Sequence, residues 1–229
     1  MNIAFLIPTY NRPRSLLEIV QKIHKLGDVY ILDDCSDKDL TFLAKYNVKY
    51  FSNEVHKGKE RFYQTVTDLF YLMAETKYDY YFFMPDDLIP VKDFHLKAID
   101  TWSKIEDSRK ICLNIYLDQS RYKKACWTDF IPRDKGAAWL TNWVDMCFMC
   151  EAKFFKMIGY KIPAPTINWK VTPSMSSGVG RYISKYLVYR KMLRIYQVKS
   201  SLLKSSPESF NSQMHPNRNT NHLIYKEII

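Results

Sequence analysis

Short apolar segments alternate with amphipathic ones over the first hundred residues, and this alternation limits the possible fold more than any other feature. Four segments have the length and apolar content of buried strands: NIAFLIP (2–8), VYIL (29–32), VKYF (48–51) and YYFFM (80–84). Amphipathic helices are predicted at three places, over 12–26, 60–76 and 93–105. The order β-α-β-β-α-β-α predicts an α/β fold in which helices cover a mostly parallel central sheet.

After residue 105 the pattern is less regular, but strands and helices are still predicted. Strands are expected at ICLNIYL (111–117), WVDMCFM (143–149) and RIYQV (194–198), and helices at 151–158 and 178–192. The sequence has no internal repeat and no strong domain boundary, so we predict a single domain over residues 1–229. Its parts would be a first half over 1–105, a second half over 106–204 and a polar tail over 205–229.

The composition favours a globular protein with an anionic partner. The 34 Lys and Arg exceed the 24 Asp and Glu, which gives a net charge of +10. This excess favours nucleotide phosphates, nucleic acid, or an acidic lipid or glycan as partner. No apolar run approaches the roughly 18 residues that a membrane helix needs, and the first residues lack the features of a signal peptide. We therefore expect a cytoplasmic protein.

The five cysteines are odd in number and lack the spacing of a disulfide framework, which fits a reducing compartment. Cys147 and Cys150 form a C-x-x-C pair, a pattern compatible with redox chemistry or with zinc. Because no second pair of ligands accompanies them, two small apolar residues in a buried strand are the favoured interpretation.

Polar residues follow each of the four predicted strands of the first half. In chain order these segments are PTYNRP, DDCSD, NEVHKGKER and PDD. Ligands of such folds bind beyond the carboxyl ends of the strands, and in a parallel sheet these ends meet at one edge. The sequence therefore predicts a binding site at this edge.

Two pairs of adjacent carboxylates belong to this predicted site. Asp86 and Asp87 follow an aromatic strand, and a divalent cation such as Mg²⁺ or Mn²⁺ would offset their repulsion. The alternative is a solvated turn that caps a helix. Asp33 and Asp34 could accept hydrogen bonds from a nucleobase or a ribose, or could form a simple turn.

The segment KGKER adds positive charge at the same predicted edge. Lys57, Lys59 and Arg61 surround Gly58, where the backbone can approach a ligand closely. Basic side chains close to a helix N-terminus favour phosphate. The alternative is an ordinary solvated helix start.

Four motifs, IPTYNRP, ILDDCS, KGKER and FMPDDLIP, together resemble the nucleotide-sugar half of a GT-A glycosyltransferase of the large family two. The resemblance covers about the first 100 residues. Later segments, including SSGVGRYIS and SFNSQMHP, are similar to small phage and viral members of that group. The resemblance implies a single-domain GT-A fold, with residues 1–105 as the half that binds the nucleotide sugar and 106–204 as the acceptor half.

The resemblance also implies roles for individual residues. PDD would be the metal motif, with Asp87 as a direct ligand of Mn²⁺ or Mg²⁺ and His215, in the tail that closes the site, as another. The implied contacts to the nucleotide sugar come from eight residues: Pro8, Thr9, Tyr10, Arg12, Asp33, Lys59, Arg61 and Asp86. Pro85 stands where many members have an acid, so the division of roles between Asp86 and Asp87 stays open.

The catalytic base is expected in the acceptor half, where one Asp or Glu would remove the proton of the acceptor hydroxyl. Asp145 is the first candidate, because it lies in an apolar predicted strand where burial would make its carboxylate a stronger base. Glu151 and Asp129 are the competing candidates. The alternative for Asp145 is a structural role toward local backbone N–H groups.

The predicted function is a metal-dependent and inverting transfer of a hexosyl or pentosyl group from a nucleoside-diphosphate sugar, with a UDP-sugar as the expected donor. The acceptor would be a glycan or surface polymer, or a hydroxymethylated pyrimidine in phage DNA; the location would then be the host cytoplasm. A nucleotidyltransferase and a non-catalytic module that binds an anionic polymer are the alternatives.

Overall fold

The computed structural model describes residues 1–117, 133–166 and 178–208. The first half contains β1 (Ile3–Thr9), α1 (Pro13–Ile23), β2 (Asp28–Asp33), a 3₁₀ turn (Thr41–Lys45), β3 (Val48–Ser52), α2 (Phe62–Leu72), β4 (Tyr80–Phe83), β5 (Leu88–Pro90) and α3 (Phe94–Ser103). The second half contains β6 (Lys110–Asn114), β7 (Arg133–Lys135), β8 (Ala138–Thr141), β9 (Phe148–Cys150), α4 (Ala152–Ile158), α5 (Val179–Lys185), a π-turn (Tyr186–Arg190), β10 (Arg194–Gln197) and β11 (Leu203–Ser205).

A nine-stranded sheet with the order β3-β2-β1-β4-β9-β6-β10-β8-β7 forms the centre of the described structure. The neighbours β3, β2, β1 and β4 are parallel, as are β6 and β10. β9 lies between β4 and β6 and is antiparallel to both. The sheet is thus mixed but mostly parallel, which confirms the predicted α/β fold class.

Helices cover both faces of the sheet, because successive strand residues point to opposite sides. In β1, Phe5 and Ile7 pack with α1 and α3, whereas Ala4 and Leu6 pack with α2, α4 and α5. The aromatic strand β4 is divided in the same way: Phe82 lies in the first core, and Tyr81 and Phe83 lie in the second. No described helix is long and apolar enough to cross a membrane.

A second ladder returns the chain to the first half. β11 pairs with β5 in antiparallel register, from Leu203 opposite Pro90 to Ser205 opposite Leu88. Neither strand is predicted from the sequence, because each has only three residues and β5 ends in a proline. The ladder places residues 206–208 beside the N-terminus of α1 and beside Asp87.

The strand predicted over 143–149 is wrong for most of its length, because β9 begins only at Phe148. Residues 143–147 form a loop in which several N–H groups donate to side chains instead of to a neighbouring strand. The Val144 N–H donates to Ser184 Oγ at 2.7 Å, and the Asp145 N–H donates to Asn114 Oδ1 at 3.0 Å. Asp145 therefore lies in a loop and is half-buried.

Candidate active site

Asp86 is the buried centre of the site and is 3% exposed. It accepts hydrogen bonds from Thr9 Oγ1 at 2.9 Å and from the Tyr10 N–H at 3.0 Å, and it forms an ion pair with Arg12. Burial raises the pKa of Asp86, while Arg12 and the two hydrogen bonds act in the opposite direction. Asp86 thereby fixes the end of β1 and the loop that leads to α1, where three of the residues predicted to contact the nucleotide lie: Thr9, Tyr10 and Arg12.

Pro8 precedes this loop and lies in β1, opposite Leu32 of β2. The pairing of β1 with β4 ends at Leu6, so the N–H that proline lacks is not needed on that side. The strand can therefore contain Pro8 next to its last residue, Thr9, and Tyr10 follows at the site edge.

Asp33 ends β2 and lies beside a cavity of about 590 Å³. Its carboxylate accepts hydrogen bonds from the N–H and the hydroxyl of Ser36 and from Tyr50 Oη at 2.9 Å. Ser36 and Tyr50 also line the cavity, whose apolar walls include Leu40 and Val48. An apolar pocket with a carboxylate at its rim has the chemistry needed to bind a flat heterocycle that carries an N–H donor.

Asp34, the neighbouring carboxylate, organises the basic loop that follows β3. It accepts hydrogen bonds from the N–H groups of Lys57 at 2.9 Å and Gly58 at 2.8 Å, and His56 Nδ1 lies 3.0 Å from Oδ2. The His56 ring stacks on Tyr10 with 4.0 Å between the ring centroids. The stack joins the basic loop to the loop that Asp86 holds.

Lys59 and Arg61 lie between this anchored loop and α2. Arg61 is exposed, and its guanidinium donates to the His56 carbonyl at 3.3 Å. Lys59 is partly buried, and desolvation lowers its pKa. Both cations follow directly after the residues that Asp34 fixes, and they stay predicted contacts to a diphosphate or a sugar.

Asp87 is half-buried, and its backbone carbonyl accepts the Ser206 N–H at 2.8 Å. Glu208, two residues later, accepts hydrogen bonds from the Ser15 N–H and hydroxyl, each at 2.7 Å. Asp86, Asp87 and Glu208 all raise the pKa of Arg12, against the effect of burial. The segment after β11 thus lies beside the predicted metal motif.

The residues around Asp87 meet the requirements of a divalent ion only in part. Mg²⁺ and Mn²⁺ need only one or two protein carboxylates when substrate phosphates complete the coordination shell. Asp87 can supply one, whereas the carboxylate of Asp86 is already engaged by Arg12 and by the loop. Residues 1–117, 133–166 and 178–208 contain no group of three or more His, Cys, Asp or Glu placed to hold a metal. This set fits a metal held jointly with a phosphate ligand.

Asn114 positions the loop that carries Asp145. It is completely buried at the end of β6, where its amide donates to the Trp143 carbonyl at 2.7 Å and its oxygen accepts the Asp145 N–H. The Cys147 thiol has its pKa raised by burial and also by two nearby carboxylates, Asp145 and Asp87. Both carboxylates are therefore near enough to this buried thiol to act on its pKa.

Glu151, the competing candidate base, lies at the other edge of the sheet. β9 is antiparallel to β4, so Phe148 faces Phe83 at the carboxyl end of β4, whereas Cys150 faces Tyr81 nearer its beginning. Glu151 follows Cys150 and accepts the Trp102 Nε1–H at 2.8 Å. The topology thus favours Asp145 over Glu151. Asp129 and His215 lie outside the described residues.

The C-x-x-C pair is buried, as the favoured interpretation predicted. Cys147 and Cys150 are 2% and 0% exposed, and Cys150 faces Cys112 in the sheet. Burial raises the pKa of all three thiols, so they remain protonated at neutral pH.

Two site residues, Asn114 and Glu208, were not found by sequence reasoning. Asn114 carried a signal, since it is the one polar residue in ICLNIYL (111–117). A buried polar side chain must have partners, and its partners here are the backbone of the Asp145 loop. Glu208 carried no signal, because its contact with Ser15 joins residues 193 apart in the sequence.

Replacing Asn114 with Ala is expected to loosen the Asp145 loop and leave nucleotide binding intact. The change removes the side-chain groups that bind the Trp143 carbonyl and the Asp145 N–H. The loss should cost about 1–3 kcal/mol in the free energy of unfolding. Urea unfolding measures this cost, and Asn47→Ala, at an exposed position, is the control. A loss of nucleotide binding as large as the loss of stability, or a cost no greater than that of Asn47→Ala, would contradict this expectation.

Comparisons with known proteins identify the fold. No protein-family model and no curated protein sequence matches the chain. Staphylococcus aureus TarS 1-349 is 14% identical over 92% of this chain and 62% of its own length, with a TM-score of 0.59. Its structure in complex with UDP-GlcNAc gives 11% identity over 90% of this chain and 58% of its own, with a TM-score of 0.61.

The structure of a second enzyme is similar to this chain to about the same extent. Glucosyl-3-phosphoglycerate synthase from Mycobacterium tuberculosis, in complex with Mn²⁺ and UDP-glucose, is 13% identical over 89% of this chain and 71% of its own, with a TM-score of 0.55. The chain spans less than two thirds of the TarS structures. The similarity to both sets of structures shows that this chain has the GT-A fold of these glycosyltransferases, an α/β fold with a mostly parallel central sheet.

Proposed function

We propose that the protein is a metal-dependent glycosyltransferase that uses a nucleoside-diphosphate sugar. The observation that carries the proposal is the antiparallel pairing of Phe83 with Phe148, which brings the Asp145 loop before β9 to the carboxyl end of β4, where Asp87 follows. One carboxylate lies beside the loops that would bind a nucleotide, and the other lies in the acceptor half. A glycosyltransferase needs its donor site and its acceptor site close together, so that the acceptor hydroxyl can reach the anomeric carbon of the donor sugar.

The donor would bind across the carboxyl ends of β1, β2 and β4. Asp33 and its cavity would take the nucleobase, and the loop fixed by Asp86 would contact the nucleoside. Lys59 and Arg61 would balance the charge of the diphosphate. The solved structures with UDP-GlcNAc and with UDP-glucose support a UDP-sugar as the donor.

A divalent ion, Mn²⁺ or Mg²⁺, would be held by Asp87 together with the donor diphosphate, and His215 is proposed as a further ligand. When bound, the metal would offset the negative charge that develops on the leaving diphosphate. The Mn²⁺ complex of the mycobacterial enzyme supports this part of the proposal.

Asp145 would act as the general base toward the acceptor hydroxyl. The hydroxyl oxygen forms a bond to the anomeric carbon, its proton passes to Asp145, and the bond to the diphosphate breaks with its electron pair leaving on oxygen. Attack from the face opposite the diphosphate inverts the anomeric centre. Asn114 would hold the Asp145 loop in place for this step.

The acceptor would be a glycan or surface polymer, or a hydroxymethylated pyrimidine in phage DNA, and the transferred group a hexose or pentose. The net charge of +10 suits an anionic acceptor of either kind. Membership of family two, a phage or viral origin and a cytoplasmic location belong to the same proposal, supported by the motifs of the first half.

Thermal unfolding with a panel of nucleoside diphosphates and triphosphates, with Mn²⁺ or with a chelator, tests the donor site. A ligand at about 100 times its dissociation constant stabilises the fold by about 2.7 kcal/mol, which raises the Tm of a domain this size by about 5–10 °C. We expect such a shift with UDP, only in the presence of metal.

The remaining outcomes of the panel separate the alternatives. A shift with a triphosphate alone, followed by release of pyrophosphate, would favour a nucleotidyltransferase. A panel without any shift would overturn the nucleotide site and leave a module that binds an anionic polymer.

A further inference from the structure

The end of α5 and the π-turn form a basic surface that the proposed transfer reaction does not use. Residues 178–194 contain five basic residues and no Asp or Glu. Arg181, Lys185, Arg190 and Lys191 are exposed, whereas Arg194 forms an ion pair with Asp107. We call Arg181, Lys185, Arg190 and Lys191, together with Tyr189 and Met192, the basic face.

Two large apolar side chains are exposed among these charges. Tyr189 is 56% exposed and Met192 is 63% exposed, and they flank Arg190 and Lys191 in the sequence. Met192 has a φ of 54°, a left-handed conformation that is unusual for a residue with a side chain. The chain thus adopts a costly backbone conformation at a position where an apolar side chain faces water.

The π-turn is a second unusual feature of the same segment. Its backbone bonds run from the Lys191 N–H to the Tyr186 carbonyl at 3.1 Å, a spacing that is rare in proteins and frequent at functional sites. The buried side of the segment, including Leu187, packs in the core, so the exposed residues are held on a rigid support.

The basic face extends away from the candidate active site. Ser184, on the buried side of α5, contacts the Asp145 loop at Val144, whereas the π-turn leads to the start of β10, at the opposite edge of the sheet. α4 packs beside the π-turn and adds the exposed Lys153 and Lys156. A partner bound at the π-turn would leave the donor site open.

We propose that the basic face docks on the surface of a bilayer that contains anionic lipids. Lys and Arg are attracted to anionic headgroups, and tyrosine prefers the boundary between headgroups and acyl chains. A nucleic acid would also attract the charges, but phosphate contacts make no use of an exposed methionine. A bilayer takes up both the charges and the apolar side chains, as it does for helices that lie in the interface.

Sedimentation of the full chain with vesicles tests the docking. We expect binding to vesicles of equal parts phosphatidylglycerol and phosphatidylcholine, and little binding to phosphatidylcholine alone. The double variant Arg190→Gln/Lys191→Gln should bind about thirtyfold more weakly, at about 1 kcal/mol for each basic residue at the surface. The variant Tyr189→Ser/Met192→Gly should also bind severalfold more weakly, while the glycine relieves the backbone at position 192.

The matched controls lie on α3 and just before it, on the opposite face of the sheet. Lys92→Gln/Lys97→Gln removes two exposed charges, and Leu96→Ser removes a side chain that is 51% exposed; neither should change binding. Equal binding by all variants, or no binding to the anionic vesicles, would overturn the proposal. Binding to duplex DNA that depends on Arg190 and Lys191 but not on Tyr189 and Met192 would identify a nucleic-acid surface instead.

The vesicle assay contains neither nucleotide nor metal. Its result is therefore independent of the UDP-dependent Tm shift that tests the transferase. Loss of docking with an intact nucleotide shift would overturn this inference alone, and docking without a nucleotide shift would overturn the proposed transferase alone.

Discussion

Transfer activity is expected to fall about 100- to 1000-fold when Asp87 is replaced by Asn, the range typical for loss of a group that stabilises charge in a transition state. Asn keeps the size of the side chain and leaves the backbone carbonyl that accepts the Ser206 N–H. The variant should therefore fold normally and lose the metal-dependent part of nucleotide binding. Release of UDP from a UDP-sugar, measured across Mn²⁺ concentrations, checks the loss.

Asp100→Asn is the control for this experiment, because Asp100 is 60% exposed on α3 and forms an ion pair with the surface residue Lys104. It should leave the rate and its metal dependence unchanged. Equal rates for Asp87→Asn and the native protein would show that Asp87 is no metal ligand.

Replacing Asp86 with Ala is expected to destabilise the fold by about 3–5 kcal/mol, because it leaves the guanidinium of Arg12 buried without its partner. The two side chains are only 13% and 4% exposed, so water can replace little of the lost interaction. The substitution also leaves the Tyr10 N–H without its acceptor. Urea unfolding measures the loss, and nucleotide binding should weaken with it because the loop after β1 is released.

Two further variants show whether the buried charge is the cause. The variant Asp100→Ala breaks the exposed ion pair between Asp100 and Lys104, and it should cost less than about 1 kcal/mol in the free energy of unfolding. The double variant Arg12→Met/Asp86→Leu removes both charges and should recover part of the stability that Asp86→Ala loses. If Asp86→Ala costs no more than Asp100→Ala, the pair with Arg12 contributes little to the fold.

The sequence was sufficient to predict β1 to β4 of the first half, though not β5, because these four strands are parallel and locally encoded. Each strand is a short apolar run, and parallel strands bring their carboxyl ends to one edge regardless of register. The proximity of Thr9, Asp33 and Asp86 therefore followed from the order of the strands. The division of roles did not follow, because the ion pair between Arg12 and Asp86 depends on side-chain directions that a pattern does not specify.

The second half could not be predicted in the same detail. The loop around Asp145 resembles a strand in its apolar content, but its N–H groups bind Asn114 and Ser184. Such long-range hydrogen bonds leave no periodic trace in the sequence. The same is true of β11, whose position depends on an exposed edge of β5 instead of on its own three residues.

The ladder between β5 and β11 can form only late during synthesis on the ribosome, because β11 is near the end of the described residues. Glu208 contacts Ser15 across 193 residues of sequence. At about 5–20 residues per second, a growing chain waits about 10–40 s between synthesis of the two partners. Throughout that interval the nascent first half exposes the free edge of β5, where chaperones or other chains can pair with it. The ladder and the contact between Glu208 and Ser15 are thus completed late in translation, after both halves have been synthesised.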